Sequence, residues 1–160
     1  MTAATDYLDT HHIPYRLFRH EGKVESLEQA AAERRQQPGQ VVRTIVFRLA
    51  EGEFALTLMA GPGQVSWPAL RRTLGQNRLS MAAPEEVKAA TGFVPGTVSP
   101  FGLPAPLRIL VDRSVLVYEE VSLGSGVRGL AIIIASAALL PALQAQVGAD
   151  LVELGDWGEV

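Results

Sequence analysis

Two apolar runs separated by a short polar turn constrain the fold of this chain more than any other feature. The runs VVRTIVFRL (41–49) and FALTLMA (54–60) are rich in β-branched and aromatic residues, and residues 50–53 lie between them. Such residues favour an extended chain, and a short polar connection between two such runs is typical of a β-hairpin. The sequence therefore predicts two neighbouring antiparallel strands, against which the rest of the chain must pack.

Further helices and strands follow one another without regular βαβ units. Capping residues, first-turn prolines and apolar spacing predict helices over 2–11, 27–37, 67–74, 84–91 and 137–147. Runs rich in apolar residues predict strands near 107–112, 117–123, 130–135 and 151–154, and residues 15–20 after Pro14 are expected to be extended. Hairpin strands mixed with separate helices indicate the α+β class. No repeat or long linker interrupts the chain, so residues 1–160 are expected to form one domain.

Composition narrows the class of protein. A chain of 160 residues with 48% apolar residues can bury one sizeable core. The lack of cysteine excludes disulfides, thiolate metal sites and a cysteine nucleophile. The start, MTAATDYLDT, does not resemble a secretory signal, so a cytoplasmic location is expected. The longest apolar run, residues 130–143, is shorter than the roughly 20 residues that cross a bilayer, so no membrane partner is expected.

The charge balance argues against a protein that holds long nucleic acid. The formal net charge is −3, whereas proteins that neutralise many phosphates carry a basic surface. DNA is therefore not an expected partner, although a small contact with the end of an RNA is compatible with this charge. The pairs Arg34-Arg35 and Arg71-Arg72 are interpreted as solvated helix faces.

Residues 124–129 spell G-x-G-x-x-G, the fingerprint of a dinucleotide-binding turn. That fingerprint needs a helix directly after its last glycine, because the helix N-terminus receives the pyrophosphate. Here the run LAIIIA predicts a strand, which argues against a dinucleotide site. The glycines are instead expected to form a tight turn whose bare backbone lets either another strand or a ligand approach closely.

A second glycine-rich segment, GFVPGTVSPFG (92–102), has apolar residues between its glycines and prolines. Because proline fixes φ and glycine permits unusual φ, such a loop can hold backbone N–H groups rigidly towards a pocket. A packed connection between a helix and a strand is the alternative interpretation.

Side chains that commonly carry chemistry are few. His11, His12 and His20 show no metal-ligand spacing, so neither a metal nor another cofactor is expected. No serine lies in a G-x-S-x-G elbow, which disfavours a serine hydrolase. Arg43 shares a strand face with apolar residues if the strand alternates. Its charge then either lies at the edge of the core or faces a cleft for an anionic ligand.

These segments occur in the order found in a known family. The segment ending at His20, the helix at 27–31, the strand VVRTIVF, the loop TGFVPGTVSPFG and the turn VSLGSGVRGLAIII resemble YbaK-type aminoacyl-tRNA editing domains. The string G-x-V-S-P-F-G is the most specific part of the match. The resemblance implies an α+β domain with a mixed, barrel-like sheet flanked by helices.

The resemblance also implies an activity. Such domains, alone or inserted in prolyl-tRNA synthetase, hydrolyse the ester between a wrong amino acid and the 3′-terminal ribose of a tRNA, typically tRNA for proline. A second, hydrolytic pocket of this kind discriminates between similar amino acids that the charging site of a synthetase cannot tell apart. The implied partners are the tRNA acceptor end and prolyl-tRNA synthetase, and the chain is expected to act in trans. Backbone N–H groups of the glycine loops would stabilise the oxyanion, without metal or protein nucleophile.

Twelve residues are assigned to the site by the resemblance. Those expected to take part in catalysis are Arg43, Gly102 and Gly126. Those expected to bind substrate are His20, Thr44, Gly96, Ser99, Pro100, Phe101, Ser122, Gly124 and Arg128. Large apolar residues that either line the pocket or belong to the core are Phe18, Phe47, Leu58, Met59 and Phe93.

One position departs from the family pattern, because Arg43 precedes Thr44 where the family has lysine. A guanidinium can replace lysine as an anchor for ribose or phosphate. It cannot replace a lysine that must exchange a proton, since arginine stays charged. Three alternatives follow: an editing enzyme, an editing enzyme with altered substrate, and a tRNA- or synthetase-binding module that does not hydrolyse.

Overall fold

The strands divide between two sheets. The computed structural model describes residues 2–50, 52–144 and 150–152, and within them the strands are β1 (Arg16–Arg19), β2 (Val42–Ala50), β3 (Glu53–Ala60), β4 (Ser80–Met81), β5 (Arg108–Asp112), β6 (Glu120–Gly124), β7 (Leu130–Ala135) and β8 (Asp150–Val152). One sheet is antiparallel, with the order β1-β7-β6. The other has the order β4-β2-β3-β5-β8, in which β3, β5 and β8 are parallel. The predicted hairpin and the α+β class are confirmed.

Both sheets face one large apolar core. Side chains from β2, β3 and β5 pack with side chains from β6 and β7, and a parallel bridge between Val41 and Ser122 joins the sheets. Leu58, Ile109 and Ile132 are fully buried there. Burial of each such side chain contributes roughly 1.5–3 kcal/mol. Enclosure of one core by both sheets is the barrel-like arrangement that was expected.

Helices flank the sheets, and two of them begin after a capping serine, as predicted. Within the described residues they are α1 (Ala3–Thr10), α2 (Leu27–Glu33), α3 (Trp67–Leu74), α4 (Pro84–Thr91) and α5 (Ser136–Gln144). Ser26 Oγ accepts a hydrogen bond of 3.0 Å from the Gln29 N–H, and Ser66 Oγ accepts one of 3.3 Å from the Ala69 N–H. None of the described helices has the length and apolar character that a membrane crossing requires.

α2 is shorter than predicted. It ends at Glu33 rather than at Gln37, because Arg35 adopts a left-handed conformation with φ 59° that an α-helix cannot continue. The Gln36 N–H then donates to the Ala31 carbonyl at 2.8 Å, which closes the helix end. Arg34 consequently lies at the helix end and not within the helix.

The strand expected over 117–123 begins later, at Glu120. Residues 113–116 form a 3₁₀ turn, and Asp112 Oδ2 accepts a hydrogen bond of 3.0 Å from the Ser114 N–H. Residues 117–119, which follow this turn, are bends rather than strand, and Val117 is exposed. β4 was not predicted, since two residues are too few to show a period. The predicted ends of the last helix (145–147) and the last strand (153–154) lie outside the described residues.

Candidate active site

An interrupted edge of β2 is the base of the candidate site. Among the described strands, β2 pairs at this edge with β4 at Phe47 and Arg48, and Val41, the residue before β2, forms the bridge to Ser122 of β6. Between these points a cavity of about 530 Å³ opens beside Arg43 and Thr44. Cavities of this volume commonly bind small molecules.

Thr44 presents its backbone to this edge. Peptide groups of alternate residues in a strand point to the same side. The Val46 carbonyl accepts a hydrogen bond of 3.0 Å from the Ala82 N–H on the β4 side, so the Thr44 peptide faces that side too. Thr44 lines the cavity, and its Oγ1 is buried without a hydrogen-bond partner among the described residues. Thr44 therefore has hydrogen-bonding capacity that the rest of the described chain does not use.

The glycine-rich loop and the turn after β6 form the opposite wall. Gly124 lies so close to this loop that a Cβ atom would overlap the carbonyl oxygens of Thr97 and Val98. The Gly126 N–H donates to the Thr97 carbonyl at 2.8 Å, and the Phe93 ring fills the space where a Gly126 Cβ would lie. The bare backbone of this turn therefore accommodates another segment of the chain. The element that follows the turn is the predicted strand, β7, and not the helix that a dinucleotide-binding fingerprint requires.

Arg43 lies at the boundary between the core and the cavity. Ile45 and Phe47, on the same face of β2, pack in the smaller apolar cluster beneath α3, whereas Arg43 is half-buried and lines the cavity. Its Nη2 donates to the Gly63 carbonyl, and its Nε is buried with no hydrogen-bond partner among the described residues. Burial lowers the pKa of Arg43, yet a guanidinium remains charged at neutral pH. A hydrogen bond therefore fixes the position of the Arg43 guanidinium, and burial removes part of its charge from contact with water.

Arg34 lies against the cavity, so its assignment to a solvated helix face was wrong. Arg34 reaches the cavity because α2 ends at Glu33, directly before it. Arg34 Nε donates to His20 Nε2 at 3.0 Å, and Arg34 Nη1 donates to Ser122 Oγ at 2.8 Å. His20 Nδ1 lies 2.7 Å from Glu33 Oε1. Because His20 Nε2 accepts a hydrogen bond, we assign the hydrogen of a neutral imidazole to Nδ1, which donates it to Glu33.

The charged side chains that line the cavity are cationic. They are Lys23, Arg34, Arg43 and Arg128, and no carboxylate occurs among the described lining residues. Arg128 Nη1 lies 3.8 Å from the position that a Cβ atom would take on Gly96. The one lining histidine uses both ring nitrogens within the protein, so this lining offers no donor set for a divalent metal. The cavity is suited to a ligand that carries negative charge.

Half of the predicted site residues meet at this cavity. Those that line it are His20, Arg43, Thr44, Gly96, Gly124 and Arg128. Those that do not line it are Ser99, Pro100, Phe101, Gly102, Ser122 and Gly126. Ser122 lies behind the lining, where it accepts from Arg34 and donates to Gln36 Oε1 at 2.7 Å. Lys23 and Arg34 are lining residues that the sequence pattern did not indicate.

Gly102 lies against α1 rather than in the cavity. A Cβ atom on Gly102 would overlap the Ala3 carbonyl, and the φ of Gly102 is 73°. The neighbouring Phe101 is fully buried, and its ring stacks on Tyr7 with a centroid distance of 5.9 Å. Ser99 Oγ accepts a hydrogen bond of 3.3 Å from the Phe101 N–H. Residues 99–102 of the glycine-rich loop therefore pack against α1 and do not contribute to the cavity lining.

None of the five large apolar candidates lines the cavity. Phe47, Leu58, Met59 and Phe93 are buried, and Phe18 is half-buried beside His20. The apolar side chains that do line the cavity are all aliphatic, namely Val24, Val41, Val42, Val98, Leu123, Val127 and Leu130.

Two sheets around one core, with a basic cavity between a strand edge and two glycine-rich segments, define a small α+β domain with a candidate ligand-binding cavity. The family is shown by sequence. The chain belongs to the aminoacyl-tRNA editing domain family, whose pattern matches residues 21–141. The predicted family membership is confirmed.

Relatives of the chain include proline-tRNA ligases. The ligase of Trichlorobacter lovleyi is 30% identical over 84 residues, which are 52% of this chain and 15% of the ligase. The ligase of Streptococcus pneumoniae is 32% identical over 92 residues, or 58% of this chain and 15% of the ligase. The chain thus matches about 15% of the length of these relatives. A crystal structure described as a candidate trans-editing enzyme for prolyl-tRNA synthetase is 27% identical, with a TM-score of 0.84 over 96% of this chain and 95% of that one.

Proposed function

We propose that the protein hydrolyses, in trans, the ester between a wrong amino acid and the 3′-terminal ribose of tRNA for proline. The observation that carries this proposal concerns the lining of one cavity. Arg43 and the edge of β2 at Thr44 lie on one side of it, and Gly96 and Gly124 lie on the other. Family membership and the likeness to proline-tRNA ligases support the substrate class. The tRNA acceptor end is the partner, and prolyl-tRNA synthetase is the enzyme whose errors would be removed. Charged tRNA for translation is cytoplasmic, and we place the activity there.

The proposed chemistry uses backbone donors and a fixed charge. The N–H groups of Gly96 and Thr44 are assigned to the developing oxyanion, where each donor is worth about 3 to 4 kcal/mol. The Gly126 N–H already donates to the Thr97 carbonyl, so it supports the wall and not the oxyanion. Water attacks the ester carbon. The carbon–oxygen bond to the ribose breaks, and the ribose oxygen takes the proton that the nucleophile loses. No metal takes part.

Arg43 acts in this scheme as a permanent cation. It cannot accept or donate a proton at neutral pH, because a guanidinium does not deprotonate in proteins. Its hydrogen bond to the Gly63 carbonyl fixes its position, and burial strengthens its field in the cavity. Arg43 would therefore anchor the ribose end of the substrate and stabilise negative charge on the ester.

A second candidate function is a tRNA- or synthetase-binding module without hydrolysis. The hydrogen bond from Arg43 to the Gly63 carbonyl favours this function, because a guanidinium that is fixed in place has less freedom to follow a reacting group. On this account the cavity binds the acceptor end but does not activate the ester.

Deacylation of tRNA for proline charged separately with alanine, cysteine, serine and proline tests the proposal. We expect the wild type to release one misfit, Arg43→Ala to slow release roughly 100-fold, and Arg43→Lys to retain most activity. Arg48→Ala is the matched control, because Arg48 is exposed on the same strand outside the cavity. Chelator should leave the rate unchanged. If the wild type releases none of the amino acids while Arg43→Lys gains release, the binding module is the correct account. If no variant releases any, hydrolysis is excluded for this panel.

A further inference from the structure

Arg34 differs from the other cations of the cavity in how completely it is held. Its Nε and Nη1 donate to His20 Nε2 and Ser122 Oγ, at 3.0 Å and 2.8 Å. Ser122 is fully buried and is itself bonded to Gln36, and the His20 side chain is 1% exposed. The guanidinium plane is therefore fixed by two buried partners.

The remaining donors of Arg34 are unused. Nη2 and the second hydrogen of Nη1 have no hydrogen-bond partner among the described residues, although Arg34 lines the cavity. The nearby carboxylate of Glu33 is engaged by His20 and Gln29 and forms no ion pair with Arg34. Two parallel N–H groups of a fixed guanidinium match the oxygens of a phosphate or carboxylate.

The proposed substrate carries few anionic groups near its ester. The ester is neutral and the α-amino group is cationic, so the nearest anion is the phosphodiester on the 5′ side of the terminal nucleoside. A cavity of about 530 Å³ has room for a nucleotide. Arg43 donates a hydrogen bond to the Gly63 carbonyl, whereas the side chains of Lys23 and Arg128 are exposed to solvent.

Building on the proposed function, we propose that Arg34 binds the phosphate of the terminal nucleotide of the acceptor end. His20 and Ser122 are positioning residues that hold its guanidinium in the cavity. Arg34 thereby fixes the distance between the phosphate and the ester, and Arg43 acts at the ester end.

Binding of AMP and adenosine, measured by calorimetry, tests this assignment without hydrolysis. We expect the wild type to bind AMP at least about tenfold more tightly than adenosine, and Arg34→Gln to lose that difference. Arg35→Gln is the matched control, because Arg35 is adjacent and exposed and does not line the cavity. The logarithmic salt dependence of binding of uncharged tRNA should also fall by about 0.7 in Arg34→Gln and stay constant in Arg35→Gln.

Three outcomes would overturn the assignment. They are equal binding of AMP and adenosine by the wild type, an unchanged AMP preference in folded Arg34→Gln, and a loss of hydrolysis in Arg34→Gln confined to tRNA charged with aspartate or glutamate. The last would assign Arg34 to an amino-acid carboxylate. An AMP preference lost in Arg34→Gln supports the assignment even if the wild type releases no amino acid, so its failure and that of the proposed hydrolysis are distinguishable.

Discussion

Gly124 lies against the carbonyl oxygen of Val98 with no space for a Cβ atom between them. This contact joins the end of β6 to the glycine-rich loop, and both segments line the cavity. Gly124→Ala must therefore displace backbone, and we expect it to destabilise the protein by about 1–3 kcal/mol. Urea unfolding measures the change. The displaced loop should also weaken AMP binding at a temperature where the variant is folded.

Gly22→Ala is the control for Gly124→Ala. Gly22 lines the same cavity, but no described atom lies within 4 Å of its Cβ position. We expect its unfolding free energy to stay within roughly 0.5 kcal/mol of the wild type. Equal stability of Gly124→Ala and Gly22→Ala would contradict the close packing of β6 against the loop.

Gly102→Ala separates packing from catalysis. A Cβ atom on Gly102 would overlap the Ala3 carbonyl at the start of α1, at a backbone φ of 73°. We expect a loss of roughly 1–3 kcal/mol in unfolding free energy, because both overlap and backbone strain act. In the folded fraction at low temperature, kcat for deacylation should stay close to the wild-type value. A large loss of kcat in fully folded protein would instead support the catalytic role predicted for Gly102.

The elements that sequence predicted correctly carry local signals. Ser26 and Ser66 cap helices, Gly92 ends one, and the β-branched runs pair as a hairpin. The early end of α2 has no such signal, since Arg35 adopts a left-handed conformation that arginine rarely takes without tertiary support. The buried Gln36, bonded to Ser122, provides that support from a distant strand.

The site was half predictable for a related reason. The glycine motifs identify positions where the backbone closely approaches another group, but they do not identify that group. Gly96 and Gly124 line the cavity, whereas Gly102 packs on α1. Arg34 reaches the cavity because α2 stops early, so the local pattern of a solvated helix indicated the wrong surroundings. Its partners His20 and Ser122 are 14 and 88 residues away, a pairing that a single sequence does not reveal.

Glu33 is expected to make the unfolding free energy of the protein depend on pH. Hydrogen bonds from His20 and then from Gln29 lower the pKa of Glu33 below its ordinary value of 4.5. A carboxylate with a lowered folded-state pKa adds stability that is present above the unfolded-state pKa and lost as pH falls through the folded-state pKa. We expect the unfolding free energy of the wild type to fall below about pH 4.5 relative to Glu33→Gln. Urea unfolding across this range measures the difference.

Glu28→Gln is the control for this pH dependence, because Glu28 is exposed on the same helix and shares none of these hydrogen bonds. Its profile should keep the wild-type shape. Parallel profiles for the wild type and Glu33→Gln would mean that the His20 contact does not persist in solution.

Thr44 and Thr57 each bury an Oγ1 with no hydrogen-bond partner among the described residues, and they differ in location. Thr44 lines the cavity, whereas Thr57 is fully buried in β3. Valine has nearly the same shape, so each Thr→Val change removes an unpaired hydroxyl, and we expect both variants to gain about 1 kcal/mol in unfolding free energy. If the Thr44 hydroxyl rotates to meet substrate, Thr44→Val alone should raise KM for deacylation. Equal kinetics in the two variants would assign the unpaired Thr44 hydroxyl to no step of binding, and would leave the Thr44 peptide N–H as the contribution of this residue.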